Sequence, residues 1–218
     1  MVLNLTGVPK IYRLLRIDNY QSTYLKPEPN PVPPAPEPEP DPEPDPLPLP
    51  IPEPIITIIE GDTGWLNPTA TGDDYNQWTN QTQAYTNDGL YAFASTTGHE
   101  QDYYGFGIEA LIPPNAFIDG IILEIEALAG LPNGSSVLLE LSGDGRANYT
   151  ATGQTTGLLP TGAKVITIGN QSYNWGKAWT KSMFSDANFR VKFNLNRVSA
   201  EGFVDYVKIK VHYHTESA

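Results

Sequence analysis

Residues 203–214 read FVDYVKIKVHYH, and this stretch decides the fold. Its side chains divide into two sets that alternate with period two, as in a β-strand with one buried and one solvated face. The predicted buried set is Phe203, Asp205, Val207, Ile209, Val211 and Tyr213, and the other set is Val204, Tyr206, Lys208, Lys210, His212 and His214. The stretch therefore predicts a long strand that borders a core.

Seven further segments are rich in β-branched and aromatic residues and are separated by turn residues. They are residues 55–59, 90–94, 103–111, 118–129, 137–141, 164–168 and 189–195, with Gly and Asn clusters at 131–135 and 142–148. Their apolar residues show hardly any recurrence at the 3.6-residue spacing of an amphipathic helix. About eight strands at this spacing predict an all-β fold, an antiparallel two-sheet sandwich of jelly-roll-like type.

Proline divides the chain into three parts. Of its 21 prolines, 15 lie between Pro27 and Pro54. We predict an extended anchoring arm at residues 1–26, a Pro/Glu/Asp-rich polyproline II spacer at 27–55 and the β-sandwich domain at 56–218. Proline at nearly every second position restricts the backbone to extended conformations. At about 3.1 Å per residue, the extended spacer spans roughly 90 Å. A passive linker, or a ligand for modules that bind polyproline, remains an alternative.

The arm is basic and apolar, with Lys10, Arg13, Arg16 and Lys26 against Asp18. A peptide of this length does not repay its ordering entropy alone, so we expect its order to come from a partner. The candidate partner-binding residues are Ile11, Tyr12, Arg13, Leu14, Leu15 and Arg16. The expected partners are another protein chain or further copies of this chain. A disordered tail without a partner is the alternative.

Charge and composition exclude several classes of protein. The formal net charge is -12, and residues 56–218 hold 17 acids against nine bases. Such a surface repels phosphate backbones and anionic lipid, so we expect neither nucleic acid nor membrane as a partner. The chain has no cysteine, and therefore no disulfide or thiolate metal site. We find no secretory leader and no membrane-spanning run, which predicts synthesis in the cytosol.

Few residues suggest catalysis or metal binding. His212 and His214 have a spacing that suits Zn²⁺, but the nearby lysines disfavour a cation. Two loops offer oxygen ligands for Ca²⁺, although ordinary turns explain them better. These loops contain Asp62, Asp73 and Asp74, and residues 142–146. We therefore predict no metal, no cofactor and no enzymatic activity.

The four tryptophans form a separate candidate site. All lie in contexts rich in Gly, Asn and Thr, where an exposed ring can stack on a sugar. They are Trp65, Trp78, Trp175 and Trp179. We name them as candidate carbohydrate-binding residues; buried rings that close one end of the sandwich are the alternative.

Several short motifs occur in an order that resembles β-sandwich modules of tailed-phage and prophage virion proteins. They are GWLNP at 64–68, DGLYA at 88–92, FGI at 106–108 with IPPNA at 112–116 and IDGII at 118–122, WG at 175–176 with WT at 179–180, and VDYVKIKVHY at 204–213. The resemblance covers roughly residues 56–213. It implies a jelly-roll module without enzymatic residues, appended to capsid, neck or tail proteins.

Two functions follow as hypotheses. The leading one is a structural virion protein of a tailed phage, a capsid decoration or cement protein anchored by its arm. Its expected partners are a major capsid protein or another virion protein, and further copies of the chain, with a trimer favoured. It would lie on the outer surface of the virion and assemble in the host cytoplasm. The alternative is a carbohydrate- or receptor-binding module of a tail or neck fibre, with a host surface glycan as partner.

Overall fold

The antiparallel pairing of the two longest strands organises the structure, a computed structural model that describes residues 55–217. Strand β5 (Phe117–Ala129) runs beside β10 (Gly202–Ser217), and their register extends from Ala129 opposite Gly202 to Phe117 opposite His214. The predicted arm and all but the last residue of the predicted spacer lie outside the described residues.

Both sheets are antiparallel. Sheet A has the order β1-β10-β5-β8, with β1 at Thr57–Asp62 and β8 at Lys164–Gly169. The short strand β3 (Ala92–Ala94) pairs with the other end of β10. Sheet A therefore consists of five strands, with the long β10 in contact with three of them.

Sheet B has the order β2-β4-β9-β6-β7. Its strands are β2 (Ala70–Asn76), β4 (Glu100–Tyr104), β6 (Ser135–Gly143), β7 (Gln154–Thr155) and β9 (Phe189–Arg197). From β5 onward the chain passes from one sheet to the other and back, which is the jelly-roll-like arrangement that the sequence predicts. The predicted all-β, two-sheet sandwich fold is confirmed.

The core lies between the sheets and is built from alternate residues of the long strands. Side chains from β5 and β10 face those of β6 and β9, and most have no exposed surface. The central members are Ile121, Leu123, Ile125, Val137, Leu139, Leu141, Val191, Phe193, Val207, Ile209 and Val211. Burial of this apolar set is the main favourable contribution to folding.

Two β-bulges, each formed by an aspartate, modify the β5–β10 ladder. Asp205 is the extra residue of β10 between Val204 and Tyr206. Asp119 is the extra residue of β5, since Gly120 lies opposite His212 and the next pair joins Ile118 and Tyr213. A bulge shifts the phase of alternation and increases the local twist.

The first bulge corrects part of the predicted strand pattern. Val204, assigned to the outer face, is fully buried in the core. Phe203, assigned to the core, lies outside it and stacks on Phe93 with ring centroids 5.6 Å apart. Val207, Ile209 and Val211 point inward as predicted.

The other strand predictions differ mainly at their ends. The predicted strand at 103–111 is wrong in its second half, because Ile108–Leu111 is a short 3-10 helix after Gly107 with φ 69°. Strands β2 and β7 have no counterpart in the sequence prediction. Two further 3-10 helices are described, at Gln81–Ala84 and Lys181–Phe184. No helix among the described residues is long and apolar enough to cross a membrane.

Replacing Asp205 by alanine is expected to lower the free energy of unfolding by about 2–3 kcal/mol. Its buried carboxylate accepts hydrogen bonds from the backbone N–H groups of Asp88 (3.3 Å) and Gly89 (3.1 Å), which would lose their partner. Urea unfolding monitored by tryptophan fluorescence measures the change. Asp62→Ala, which removes an exposed turn hydrogen bond to Gly64, is the control and should cost about 0.5 kcal/mol. Equal costs for the two variants would contradict the assignment.

Candidate functional site

A cleft of about 670 Å³ opens at the end of the sandwich where β5 begins. Its walls come from the β4–β5 connection and the β8–β9 connection, and we call it the loop cleft. The lining combines aromatic and small apolar side chains with amide, hydroxyl, ammonium and carboxylate groups. The lining residues are Glu109, Pro114, Ala116, Phe117, Ile118, Asn174, Lys177, Ala178, Trp179, Thr180, Lys181 and Ser182.

The floor of the loop cleft rests on a cluster of aromatic rings. Trp179 packs against Phe184 and Phe189 at centroid distances of 5.3 and 5.8 Å, and Phe106 contacts Phe189 at 5.9 Å. The indole N–H of Trp179 donates to the carbonyl of Asn174 at 2.7 Å. The β8–β9 connection is therefore fixed to the core on one side and faces the cleft on the other.

The two walls are also joined directly. The ammonium of Lys181 donates to the carbonyl of Ile112 at 2.6 Å, and the backbone N–H of Gly107 donates to Asp186 at 2.9 Å. These contacts tie the 3-10 helix Ile108–Leu111 to the β8–β9 connection. The loop cleft is thus held open by the protein itself.

Phe117 is the exposed aromatic ring of the loop cleft, with 53% of its surface accessible. It stacks on the imidazole of His214 across the β5–β10 pair, with centroids 5.1 Å apart and planes inclined by 17°. His214 in turn holds its Nδ1 2.7 Å from the carboxylate of Asp119, the bulge residue of β5. This chain of contacts fixes the orientation of a ring that faces solvent.

A second cleft of about 450 Å³ adjoins the first beyond the Phe117–His214 pair. It is lined by one edge of β1, the end of β10 and a polar loop. The lining residues are Ile58, Glu60, Gly61, Asp119, Gln171, Ser172, His212, Tyr213 and His214. The Nε2 atom of His212 is buried here without a hydrogen-bond partner in the described part of the chain.

The histidines considered for Zn²⁺ lie on one face of β10, as the sequence predicts, but the described residues bring no group of three potential metal ligands together. Two of the three aspartates considered for Ca²⁺, Asp62 and Asp73, have other partners. Asp62 accepts the N–H of Gly64, and Asp73 pairs with Arg146 and Arg190 at 3.3 and 3.2 Å. These side chains serve turns and ion pairs.

The loop at 142–146 is closed by its own hydrogen bonds. The Asp144 carboxylate accepts the hydroxyl of Ser142 at 2.8 Å, and both the backbone N–H and the side-chain amide of Asn148 at 2.9 Å. Although burial acts in the opposite direction, these hydrogen bonds lower the pKa of Asp144 to about 2. The arrangement is that of a capped turn.

The four tryptophans do not form a common sugar-stacking surface. Trp78, Trp175 and Trp179 are buried, with at most 7% of their surface accessible, so the prediction of exposed rings is corrected for these three. Trp175 instead donates its indole N–H to Ile121 at 3.0 Å. Their loop positions are as predicted, and the alternative of rings that close the sandwich describes them better.

Trp65 is the exposed member of the four, and it lines neither cleft. Lys208 and Lys210 place their ammonium groups 4.9 and 5.1 Å from its ring centroid. Lys208 also pairs with Glu124 at 2.7 Å. Cations already cover this ring, and cation–π contact accounts for its position.

The outer face of sheet B carries a polar cluster centred on Lys192. Lys192 lies between Glu100 and Glu140, at 2.9 and 3.0 Å, and beneath the rings of Tyr75 and Tyr149. Burial alone would lower the pKa of Lys192, but the hydrogen bonds to the two carboxylates raise it. Lys192 thus balances one of the two carboxylate charges, and the ion pairs join β4, β6 and β9 on this face.

The sequence analysis missed the residues that line the loop cleft, except for Trp179. Phe117, Lys177 and Asn174 carry no motif, and they meet only because two connections of different sheets converge. The predicted partner-binding residues of the arm, Ile11, Tyr12, Arg13, Leu14, Leu15 and Arg16, lie outside the described residues.

Sequence comparison finds no matching protein-family model and no matching protein of curated function. Solved structures similar to the chain include carbohydrate-binding modules. CBM32 of AlyQ, in complex with 4,5-unsaturated mannuronic acid, has 13% identity and a TM-score of 0.37, covering 66% of this chain and 96% of that chain. The xylan-binding module CBM15 has 9% identity and a TM-score of 0.35, covering 72% of this chain and 95% of that one.

A phage protein is also among the similar structures. The enzymatically active domain of tailspike protein 4 from bacteriophage CBA120 has 12% identity and a TM-score of 0.31, covering 71% of this chain and 19% of that chain. The similar structures thus include carbohydrate-binding modules and a tailspike domain. At these identities and TM-scores the likeness assigns neither a family nor a ligand.

Removal of the Trp179 ring is expected to lower the free energy of unfolding by about 3–5 kcal/mol, because Trp179→Ala leaves a cavity beside Phe184 and Phe189. Trp65→Ala, at the exposed ring, should cost less than about 1 kcal/mol. Chemical denaturation of both variants provides the measurement. A larger loss for Trp65 than for Trp179 would refute this division between surface and core.

The Asp144→Asn substitution is expected to reduce acid sensitivity. Because folding lowers the pKa of Asp144 from 3.8 to about 2, its stabilising contribution is full above the unfolded pKa and is lost as pH falls from about 4 towards 2. The difference in stability between wild type and variant should therefore shrink over that interval. Unfolding curves recorded between about pH 6 and 2 test it, and a constant difference would contradict the role of the carboxylate.

Proposed function

We propose that the sandwich is a glycan-binding module that holds its ligand in the loop cleft without breaking bonds in it. The observation that carries the proposal is the exposed Phe117 ring, held by His214 at the mouth of a cleft lined with hydrogen-bonding groups. This proposal favours the carbohydrate-binding hypothesis and moves its site away from the tryptophans named from the sequence.

Sugars need two kinds of contact, and the loop cleft offers both. The C–H face of a pyranose packs on an aromatic ring, for which Phe117 is available. The hydroxyl groups need donors and acceptors at fixed positions, and Asn174, Lys177 and Glu109 line the same space. A volume of about 670 Å³ accommodates a short oligosaccharide.

The cleft is built before the ligand arrives. The hydrogen bond from Lys181 to Ile112 joins its two walls, and the packing of Trp179 on Phe184 and Phe189 attaches one wall to the core. Binding to a site of fixed shape avoids much of the entropy cost of ordering loops. Weak individual contacts with a sugar can then produce measurable affinity.

The lining supports binding without hydrolysis. Glycosidases commonly act with two carboxylates on either side of the scissile bond. Among the described residues that line the loop cleft, one carries a carboxylate, Glu109. With Lys177 and Lys181 the lining is net positive although the chain is acidic, which favours glycans that carry carboxylates.

Phe117→Ala is expected to weaken glycan binding about tenfold or more, because it removes the stacking surface. The measurement is isothermal titration calorimetry of the full chain with oligomannuronate, xylohexaose and β-1,4-galactotriose, after a glycan array has given the preferred class. Lys177→Ala should weaken binding of the charged oligosaccharide more than that of the neutral ones. Trp65→Ala, at the exposed ring outside the cleft, is the matched control and should bind as wild type does.

Two results would refute the proposal. One is the absence of binding to any oligosaccharide on the array by the wild-type chain. The other is a loss of affinity in Trp65→Ala that equals or exceeds the loss in Phe117→Ala, since the ligand would then lie beside Trp65 rather than in the loop cleft.

The capsid decoration hypothesis depends on residues 1–54 and stays a prediction. What supports it is the segregation of base, proline and acid along the chain. Deletion of residues 1–26 should abolish attachment to phage heads, measured by co-sedimentation of the chain with empty shells. Attachment that persists after the deletion would exclude an anchoring role for the arm.

A further inference from the structure

Strand β1 forms an edge of sheet A, and one side of its backbone is unpaired in the described residues. It pairs with β10 alone, from Thr57 opposite Ser217 to Asp62 opposite His212. An edge strand presents a row of N–H and C=O groups to which another extended segment can add.

Part of this edge extends beyond the rest of the sheet. The pairing of β5 with β10 ends at Phe117 opposite His214, whereas β1 and β10 continue together for three more residue pairs. Residues 57–59 and 215–217 therefore form a two-stranded ribbon, which we call the β1/β10 ribbon. A two-stranded ribbon is only marginally stable by itself, and a third strand would support it.

The edge is unusually apolar for an exposed one. Ile55, Ile56, Ile58 and Ile59 have 86%, 56%, 60% and 58% of their surface accessible. Native proteins protect edges with charge, bulges or a covering segment, because exposed apolar strands aggregate. The acidic groups beside these isoleucines lie on one face, where Ile58 is opposite Glu216 and Glu60 is opposite His214.

One segment of this chain has the complementary chemistry. Residues 11–17 read IYRLLRI, in which apolar residues are combined with Arg13 and Arg16 and no acid occurs. In an extended segment these two arginines fall on opposite faces. One arginine would thus meet the acidic face of the β1/β10 ribbon, while apolar residues cover the isoleucines.

We propose that residues 11–17 of one copy add as a strand to the free edge of β1 in a second copy. The spacer length argues for a second copy, because 27–55 alternates proline with other residues and is predicted to extend over roughly 90 Å. A return to the same chain's β1 would require that extended segment to reverse. The interaction makes the chain self-associating through two different surfaces, the arm and the edge, and it is independent of glycan binding.

Complementation between two full-length variants tests this proposal. The edge variant carries Ile58→Lys and Glu60→Lys with an intact arm, and the arm variant carries Arg13→Glu and Arg16→Glu with an intact edge. Sedimentation velocity should show self-association of the wild type, and dissociation constants raised about tenfold or more for each variant alone. An equimolar mixture should recover association, because the arm of the edge variant binds the edge of the arm variant.

Val165→Lys, at an exposed apolar position of the opposite edge strand β8, is the matched control and should associate as wild type does. Unchanged unfolding midpoints establish that each variant folds. Association of the arm variant alone at the wild-type level would overturn the proposal in favour of β1 pairing with β1. A wild-type chain that stays monomeric at about 100 μM, or a mixture that does not associate, would overturn it as well.

Discussion

The antiparallel pairing of β5 with β10 determines where most other elements of the described chain can lie. Because the ladder is long and buried on one face, it fixes the inward direction for both strands, and sheet B packs on the side chains so presented. The two aspartate bulges adjust that direction at the ends. Asp205 turns Val204 into the core and binds a neighbouring loop, and Asp119 holds the imidazole that supports Phe117. The register of β5 against β10 thus determines which side chains enter the core and where Phe117 lies in the loop cleft.

Much of the fold could be predicted from the sequence, because apolar and polar residues alternate with period two in long strands that border a core. This alternation was sufficient for β5, β9 and β10 and for the sandwich class. It failed where local chemistry interrupts the period. A single extra residue at Asp205 reversed the faces of Val204 and Phe203, and the positive φ of Gly107 ended a predicted strand in a 3-10 helix. Strand β2 was missed because its sequence, ATGDDYN, is polar and its pairing with β4 is irregular.

The candidate site was less accessible to sequence reasoning than the fold. Tryptophan in a loop has the same signature whether its ring stacks on a ligand or fills the core, and burial decides between the two. Trp179 belongs to the core, while its loop lines the cleft. The sequence prediction therefore named a residue of the cleft region, but its ring is buried and is not an exposed stacking surface. Phe117 could not be found, because its exposure depends on the end of β5 and on a stacking partner 97 positions later in the chain.

The position of β10 in the chain also affects how the protein is made. It follows every other described strand, yet β1, β3 and β5 all pair with it. During translation these three strands leave the ribosome before β10 has been synthesised. Until then they lack the strand with which they pair in sheet A. Pairing between residues so distant in sequence is slow to form, and unpaired strands in this interval are prone to aggregate. Sheet A therefore cannot be completed until β10 has been synthesised, and three of its strands are without that partner until then.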